Sequence, residues 1–192
     1  MFKAAAQSQL KFRFATHWYH GTFENSYDLI KAQGINVMYN SRRLLDFGPG
    51  FYLTTDKEQA KRFAVLKQRA LRFNRDQKPC VISFELDPNE LMEKYDGAFF
   101  HEFDKDFADF VADNRKKLGL QHSFDFVYGR VADGTELVDS TSDYVNGKIS
   151  PEQYLKKIRN PKYEDDDQLS IHNQEIRDMM KLVDMNLITE RG

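Results

Sequence analysis

His20, Tyr52 and Gln168 are the residues whose types and surroundings indicate chemistry in this chain. His20 lies in the segment Tyr19–Thr22, Tyr52 follows two glycines and a proline, and Gln168 begins the segment Gln168–His172. An imidazole and a side-chain amide can hydrogen-bond to sugar hydroxyls, and an aromatic ring can stack on a flat, positively charged ring. Gathered from three separated strands, these side chains suit the binding of a nicotinamide riboside.

The turn that precedes Tyr52 is predicted to hold its ring in place. Glycine tolerates unusual backbone angles and proline fixes one of them, so Gly48-Pro49-Gly50 favours a tight bend. The strand-like pair Phe51 and Tyr52 follows, and Thr55 or Asp56 can cap the helix that comes next. We therefore expect Tyr52 at the edge of a cleft, between stiff neighbours.

The composition indicates one globular domain without a strong overall charge. Of the 192 residues, 41% are hydrophobic and 30% are charged, which is enough for a substantial core. The 28 Lys and Arg residues are balanced by 30 Asp and Glu residues, so no global field favours a nucleic acid or a membrane. A local basic patch is still compatible with this balance. Arg42 and Arg43 can reach a diphosphate or a nucleic-acid acceptor, or they can remain solvated, as surface arginines more often do.

The sequence predicts no disulfide framework, metal site or targeting segment. Cys80 is the single cysteine, and its place at the start of an apolar run indicates a small buried residue. His101, His122 and His172 lack the spacing of metal ligands. Residues Met1–Leu10 lack the apolar core of a signal peptide, and no apolar run reaches the length of a membrane span. We therefore predict a cytoplasmic protein without a membrane partner.

Hydrophobic periodicity and turn signals predict strands and helices in an irregular order. The predicted strands are Phe12–His20, Val81–Leu86, Phe124–Val131 and Leu169–His172, and the predicted helices are Ser26–Gln33, Asp56–Phe73, Phe103–Leu118, one that begins at Ser150, and Asn173–Leu182. The polar segment Asn160–Asp167 is predicted to be a loop, with its acidic run in solvent. Because no regular βαβ order is present, we predict an α+β fold with a mainly antiparallel sheet flanked by helices. The glycine patterns of the common nucleotide-binding loops are absent.

The ordered motifs resemble those of the His-Tyr-Glu class of ADP-ribosyltransferases, which includes diphtheria toxin and the poly(ADP-ribose) polymerases. The chain is more similar still to a family of small bacterial ADP-ribosyltransferase-like domains, often encoded in toxin–antitoxin pairs. The similar segments are Tyr19–Thr22, Asp46–Thr54, Phe124–Asp133 and Gln168–His172, and the resemblance extends over roughly residues 15–182. It implies a single ADP-ribosyltransferase-like domain over residues 1–192, with a split, mainly antiparallel sheet flanked by helices.

The resemblance implies roles for residues around the predicted cleft. His20 corresponds to the residue that hydrogen-bonds the adenosine ribose and orients NAD. The backbone of Gly21 corresponds to the clamp on the nicotinamide carboxamide, and Thr22 follows it in the same segment. Tyr52 corresponds to the ring that stacks on nicotinamide.

Two further residues are implied to bind NAD. Gly50 belongs to the turn before Tyr52, and Phe63 follows Tyr52 at the distance where the polymerases carry a second stacking aromatic residue. An aromatic residue on the inner face of a helix is usually part of the core, so a purely structural role for Phe63 stays open.

Gln168 stands where the class usually has its catalytic glutamate. Cleavage of the nicotinamide–ribose bond develops positive charge on the ribose, and a carboxylate opposes that charge best. A glutamine can hold the 2′-hydroxyl but supplies neither charge nor a general base. Glutamine also occurs at this position in the small bacterial family, so catalysis remains compatible with it. Glu175 in the following predicted helix is an alternative catalytic acid.

The resemblance implies an NAD-dependent mono-ADP-ribosyltransferase, toxin-like in its biology, that releases nicotinamide. NAD is then a co-substrate, no metal is required, the acceptor is a protein, RNA or DNA, and a cognate antitoxin is an implied partner. Three alternatives stay open from the sequence. They are an NAD glycohydrolase, a catalytically silent module that binds NAD or ADP-ribose, and an RNA 2′-phosphotransferase, which would need a more basic cleft.

Overall fold

The computed structural model describes residues 2–70, 76–134 and 136–189. The strands are β1 (His17–Phe23), β2 (Phe51–Leu53), β3 (Pro79–Glu85), β4 (Gly97–Phe100), β5 (Phe126–Arg130), β6 (Asp167–Ile171) and β7 (Lys181–Leu187). The α-helices are α1 (Phe2–Phe14), α2 (Glu24–Gln33), α3 (Lys57–Ala70), α4 (Pro88–Lys94), α5 (Lys105–Lys116), α6 (Leu137–Val145) and α7 (Pro151–Ile158). Two 3-10 helices span Pro161–Tyr163 and Gln174–Met179.

The described strands form two sheets, in the orders β1-β3-β7 and β2-β6-β5-β4. Every neighbouring pair is antiparallel except β4 and β5, which are parallel. The prediction of a mixed fold of helices and mainly antiparallel strands is therefore confirmed. The strands are divided between two sheets, and this division creates the cleft described below.

Hydrophobic side chains on the two faces of β5 belong to two different cores. Phe126 and Tyr128 lie in the core between the two sheets, together with Trp18 from β1 and Ile82 from β3. Val127 faces the other way and packs against α5 and α7. This alternation follows from the two-residue period of a strand, and it places α5 against the second sheet.

Local capping signals explain where several helices begin and end. The Asp87 side chain accepts a hydrogen bond from Asn89 N at the start of α4, and Asp104 accepts one from Phe107 N at the start of α5. Ser150 and Gln153 form a reciprocal capping box at α7. Gly34, with φ of 76°, ends α2 as predicted, because glycine tolerates this left-handed region.

The two sheets meet at a single backbone bridge between β1 and the residue after β2. Tyr19 N donates to Thr54 O at 2.8 Å, and Thr54 N donates to Tyr19 O at 2.9 Å. In the part of the chain that the structure describes, no other backbone hydrogen bond joins β1 to β2. The two strands therefore part beyond this bridge.

Three predictions about local structure were wrong. The predicted strand Phe12–His20 begins only at His17, because Phe12 lies in α1 and packs its ring against Tyr128 at 4.7 Å. The predicted helix Asn173–Leu182 is a 3-10 helix followed by β7, which pairs with β3. In each case a tertiary contact outweighs local periodicity.

The third error concerns Asp167, which was predicted to be solvated. It begins β6 and is buried at 1% exposure, while the 3-10 helix Pro161–Tyr163 occupies part of the predicted loop. Cys80 is buried as predicted. The end of the predicted helix Asp56–Phe73, from residue 71 on, lies outside the described residues. No helix among the described residues is long and apolar enough to cross a membrane.

Candidate functional site

A cleft of about 650 Å³ opens where β1 and β2 part. Its walls come from β1, β2, β6, α2, α3 and the loop before β2. The residues that the sequence analysis singled out all line it, namely His20, Gly21, Thr22, Gly50, Tyr52, Phe63 and Gln168. Glu175, the alternative acid, is exposed on a 3-10 helix and does not line the cleft.

The His20 ring presents a hydrogen-bond acceptor at the cleft. Nδ1 lies 2.7 Å from Tyr52 O, and since a carbonyl only accepts, Nδ1 carries the proton. Burial lowers the pKa of His20 to about 4, so at neutral pH the ring is uncharged and Nε2 is an acceptor. The ring also stacks on Phe51, with centroids 4.5 Å apart. A neutral, oriented imidazole of this kind can accept a hydrogen bond from a sugar hydroxyl.

His172 is buried in a similar state behind the glycine turn. Its Nδ1 lies 2.9 Å from Pro49 O, and burial lowers its pKa to about 4. Its Nε2 is buried without a hydrogen-bond partner among the described residues. His172 is therefore a neutral ring that holds the glycine turn through Pro49 O. His20 is likewise a neutral ring, and it holds β2 through Tyr52 O.

We expect the protein to lose stability as the pH falls from 6.5 to 5. An unfolded histidine has a pKa near 6.5, whereas His20 and His172 have pKa values of about 4 when folded. Unfolding therefore takes up protons in this window, and stability present above pH 6.5 declines as the pH falls toward 4. Urea unfolding at several pH values measures the slope of the unfolding free energy against pH, and His20→Asn should reduce that slope. A slope that is unchanged in both His20→Asn and His172→Asn would contradict the assigned protonation states.

The backbone of Gly21 lies along the parted edge of β1. Tyr19 directs its N–H and C=O toward Thr54, and in an antiparallel pair alternate residues direct these groups to the same side. The next rung would join Gly21 to Tyr52, but Tyr52 O instead accepts from His20 Nδ1. Among the described residues no backbone partner bonds Gly21 on this side. The N–H and the C=O of Gly21 therefore face the cleft without a backbone partner among the described residues. A carboxamide can accept a hydrogen bond from this N–H and donate one to this C=O.

The absence of a side chain at Gly21 is required by α3. A Cβ atom built there would lie 2.0 Å from Ala60 O and 3.2 Å from Ala64 N. Helix α3 therefore packs directly on the β1 backbone, and this packing places its residues Phe63 and Lys67 on the cleft wall.

The Tyr52 ring is held by its hydroxyl group. Tyr52 Oη donates to Gly48 O at 2.6 Å and accepts from Phe47 N at 3.2 Å. Burial, followed by the nearby Asp46 carboxylate, raises the pKa of the phenol well above its usual range. Both hydroxyl bonds go to the glycine turn, so the ring itself is the surface that Tyr52 offers to a ligand.

The other predicted residues differ in what they offer. Phe63 is 58% exposed, which argues against the alternative of a core residue, and its ring is accessible in the cleft. Thr22 is buried in β1 beside the cleft. Both backbone groups of Gly50 are bound by Asn40, with Gly50 N donating to Oδ1 at 2.9 Å and Nδ2 donating to Gly50 O at 2.8 Å. Gly50 therefore shapes the wall, and its backbone is not open to a ligand.

Gln168 is bonded to an ion pair that the sequence analysis did not identify. Its Nε2 donates to Asp46 Oδ2 at 2.8 Å and to Arg130 O at 2.9 Å. Asp46 is 4% exposed, and its Oδ1 lies 2.7 Å from Arg115 Nε and 2.6 Å from Arg115 Nη2. Asp46 and Arg115 both line the cleft beside Gln168. A carboxylate thus lies next to Gln168, at the position where the motif resemblance implies a glutamate.

Buried Asp167 ties β6 to its neighbours. Its Oδ1 accepts from Thr54 Oγ1 at 2.7 Å and from Thr55 N at 2.9 Å, and its Oδ2 accepts from Tyr128 Oη at 3.0 Å. Burial alone would raise the pKa of Asp167, but Lys11 and the bonds from Thr55 hold it below its usual range. The network fixes the start of β6, and Gln168 follows directly.

Two cations at another part of the cleft have no ion-pair partner among the described residues. Arg43 and Lys67 both line the cleft, and the charge of Lys67 acts on His20. Burial, followed by the charge of Arg43, lowers the pKa of Lys67. By contrast, Arg62 is neutralised by Asp166 at 2.7 Å. Arg43 and Lys67 together are suited to an anionic group such as a phosphate.

Residues 17–182 match the family described as "Protein of unknown function (DUF3990)". The chain belongs to the DUF3990 family. No curated protein and no solved structure matches it. The matched range includes β1 through β6 and all of the cleft-lining residues, whereas α1 precedes it.

Within this DUF3990 domain, several cleft residues carried no local signal. Arg115 is 69 residues from Asp46, so only the folded chain brings the two together. Lys67 lies within a helix and belongs to no motif, so its place at the cleft is seen only in the structure. Asp46 stands at the start of the segment Asp46–Thr54. That segment was predicted to be functional, but its sequence did not indicate the role of Asp46. No group of three or more His, Cys, Asp or Glu residues placed for a metal is found in the described ranges.

Proposed function

We propose that this protein is an NAD-dependent mono-ADP-ribosyltransferase with an ADP-ribosyltransferase-like fold. One observation carries the proposal: beyond the Tyr19–Thr54 bridge, a neutral His20, the unpaired backbone of Gly21 and the Tyr52 ring line one cleft. These groups were expected from the motif resemblance to bind NAD. Two parted sheets joined at this cleft fit the split sheet that the same resemblance implies.

The nicotinamide end of NAD is proposed to lie where β1 and β2 part, beside α3. Gly21 N–H and C=O would bind the carboxamide oxygen and nitrogen, and the Tyr52 ring would stack on the pyridinium ring. Exposed Phe63 on α3 supplies a second aromatic surface. His20 Nε2 would accept a hydrogen bond from the adenosine ribose. The cleft volume of about 650 Å³ is in the usual range for ligand sites.

The bond cleaved in the proposed reaction joins C1′ of the ribose to nicotinamide. The bonding electrons leave with nicotinamide, which becomes neutral, and the ribose gains oxocarbenium character. Gln168 Oε1 would accept a hydrogen bond from the 2′-hydroxyl and hold the sugar. A nucleophile on the macromolecular acceptor then forms the new bond to C1′, and its proton passes to solvent water. Charge on Asp46, partly offset by Arg115, favours the cationic state.

We expect Arg43 and Lys67 to hold the diphosphate of NAD. Arg43→Ala and Lys67→Ala should each weaken NAD binding about tenfold, because charge-assisted hydrogen bonds contribute about 1.5 kcal/mol or more. Binding of free nicotinamide should be unchanged. Titration calorimetry with NAD and nicotinamide measures both affinities. Arg42→Ala is the matched control, since Arg42 does not line the cleft. Equal effects of Arg42→Ala and Arg43→Ala would contradict the assignment.

Transfer can be tested by incubating the purified protein with adenylate-labelled NAD and a cell extract. Protease and nuclease digestions in parallel identify the acceptor as protein or nucleic acid, and His20→Ala serves as the inactive control. Label that enters a macromolecule and disappears in the control supports the proposal. Nicotinamide release without label transfer would indicate a glycohydrolase instead. Tight NAD binding with no nicotinamide release would indicate a binding module.

The toxin-like role is also part of the proposal. It follows from the motif resemblance, and a cognate inhibitor protein is its expected partner. Inducible expression in bacteria tests it: growth should stop with the natural protein and continue with His20→Ala. Growth that continues with both proteins would argue against toxicity.

A further inference from the structure

We infer that Asp46 is a positioning residue that orients Gln168 and excludes a glutamate from position 168. The orientation and the exclusion are properties of the protein itself, whereas the ligand that Gln168 would contact rests on the proposed function. The cleft therefore accommodates a glutamine, and not a glutamate, at position 168.

The Asp46 carboxylate is fixed by four hydrogen-bond donors. Arg115 Nε and Nη2 bind Oδ1 at 2.7 and 2.6 Å, while Ala132 N at 3.0 Å and Gln168 Nε2 at 2.8 Å bind Oδ2. The side chain is nearly fully buried, and the Arg115 guanidinium pairs with its carboxylate. Its two oxygens therefore act only as acceptors, in one defined orientation.

The Gln168 amide has only one orientation that satisfies these neighbours. Asp46 Oδ2 and Arg130 O are both acceptors, so the NH2 group must face them and uses both of its hydrogens. The opposite end, Oε1, receives no hydrogen bond from the described residues. Because Gln168 lines the cleft, Oε1 is left to accept a bond from a ligand hydroxyl.

A glutamate at position 168 would meet the wrong partners. Its carboxylate would lie about where the amide nitrogen lies now, 2.8 Å from one carboxylate oxygen and 2.9 Å from a carbonyl oxygen. Two buried like charges at this distance favour protonation of one of them, so the pKa of the introduced carboxyl would be raised. Only the protonated form could donate a hydrogen bond and imitate the glutamine.

Asp46→Asn combined with Gln168→Glu reverses this hydrogen bond, while the bond from Ala132 N to position 46 is lost because the new amide nitrogen cannot accept it. The new amide at position 46 can donate to the new carboxylate at position 168, and the net charge of the pair is that of the natural pair. The matched control is Asp133→Asn with Gln168→Glu. Asp133 also lines the cleft but bonds to Asn160 and not to Gln168, so it removes one negative charge without supplying a donor.

Thermal unfolding of the natural protein and these variants tests the inference without reference to activity. Gln168→Glu should lower the melting temperature at pH 7.5 by about 5–10 °C, as expected for a buried like-charge pair. The pair with Asp46→Asn should recover part of that loss, because the like-charge contact is gone although the bond from Ala132 N is lost, and the pair with Asp133→Asn should recover less. A Gln168→Glu protein as stable as the natural one would overturn the inference, as would equal stability of the two double variants. If Gln168→Glu alone does not fold, the difference in melting temperature between the two double variants tests the inference by itself.

The pH dependence separates a positioning role from a general structural one. Because the introduced carboxyl has a raised pKa when folded, the stability deficit of Gln168→Glu should be small near pH 4.3 and grow as the pH rises through that pKa. The ratio of its NAD turnover to that of the natural protein should fall in the same direction, about tenfold by pH 7.5. Adding Asp46→Asn should flatten both profiles. A ratio that rises with pH would contradict the inference.

Failure of this inference and failure of the proposed function give different results. If the natural protein does not turn over NAD, the unfolding measurements still test the coupling of Asp46 to Gln168. If the natural protein transfers ADP-ribose while the unfolding shows no coupling, the proposed function stands and the inference falls.

Discussion

Replacing His20 with alanine is expected to lower NAD turnover about 100-fold. The substitution removes the Nε2 acceptor for the ribose and the Nδ1 hydrogen bond to Tyr52 O, which keeps the two strands parted. Two such hydrogen bonds, at about 1–2 kcal/mol each, correspond to roughly 3 kcal/mol, or about a factor of 100 in rate. Release of labelled nicotinamide measures the effect.

His17→Ala is the matched control for this prediction. His17 lies on the same strand but is exposed, and it sits beside Glu85 at 4.0 Å, outside the cleft. It should keep nearly full turnover. Because the His20 ring also packs on Phe51, unfolding should be measured in parallel to show that the variant folds. More than half of the natural turnover in His20→Ala would mean that the cleft is wrongly assigned.

Replacing Gly21 with alanine is expected to destabilise the fold by about 3 kcal/mol. A Cβ atom would lie 2.0 Å from Ala60 O, a backbone atom that cannot move without shifting α3. Overpacking usually costs about 1–3 kcal/mol, and contact with a backbone carbonyl belongs at the upper end. Urea unfolding measures the loss. Since α3 also carries Phe63 and Lys67, NAD binding should weaken as well.

Gly147→Ala separates this steric effect from ordinary backbone strain. Gly147 has φ of 68°, but nothing lies within 4 Å of a Cβ built there. It ends α6 in a Schellman motif, in which Gly147 N donates to Tyr144 O and Lys148 N donates to Asp143 O. Its replacement should cost only about 1 kcal/mol, the typical penalty of a left-handed conformation. If Gly21→Ala costs no more than Gly147→Ala, α3 does not pack on β1 as closely as described.

Much of the local structure was predictable from the sequence. The cap at Ser150 and the stop at Gly34 depend on residues within one turn of each helix end, so a linear pattern is sufficient. The strands around Val81–Leu86 and Phe124–Val131 were also predicted, with ends differing by one or two residues. Their apolar side chains fill cores that any arrangement of these elements would need.

The elements at the two ends of the chain were not predictable in this way. Aromatic residues near the end of α1 are typical of a strand, whereas β7 lacks a regular alternation of apolar and polar residues. Phe12 is accommodated by the rings of Trp18 and Tyr128, and β7 is held by its backbone pairing with β3. Both causes are long-range contacts, which outweigh weak local preferences.

By itself, the sequence determined which residues to examine at the site: His20, Gly21, Tyr52 and Gln168 stand in short motifs whose residue types carry chemical meaning. The tertiary structure decided how these residues are used. It parts β1 from β2 so that Gly21 keeps its backbone groups unpaired, and it brings Arg115 to Asp46 across 69 residues. Hydrogen-bond direction and burial depend on neighbours in space, and a linear pattern does not contain them.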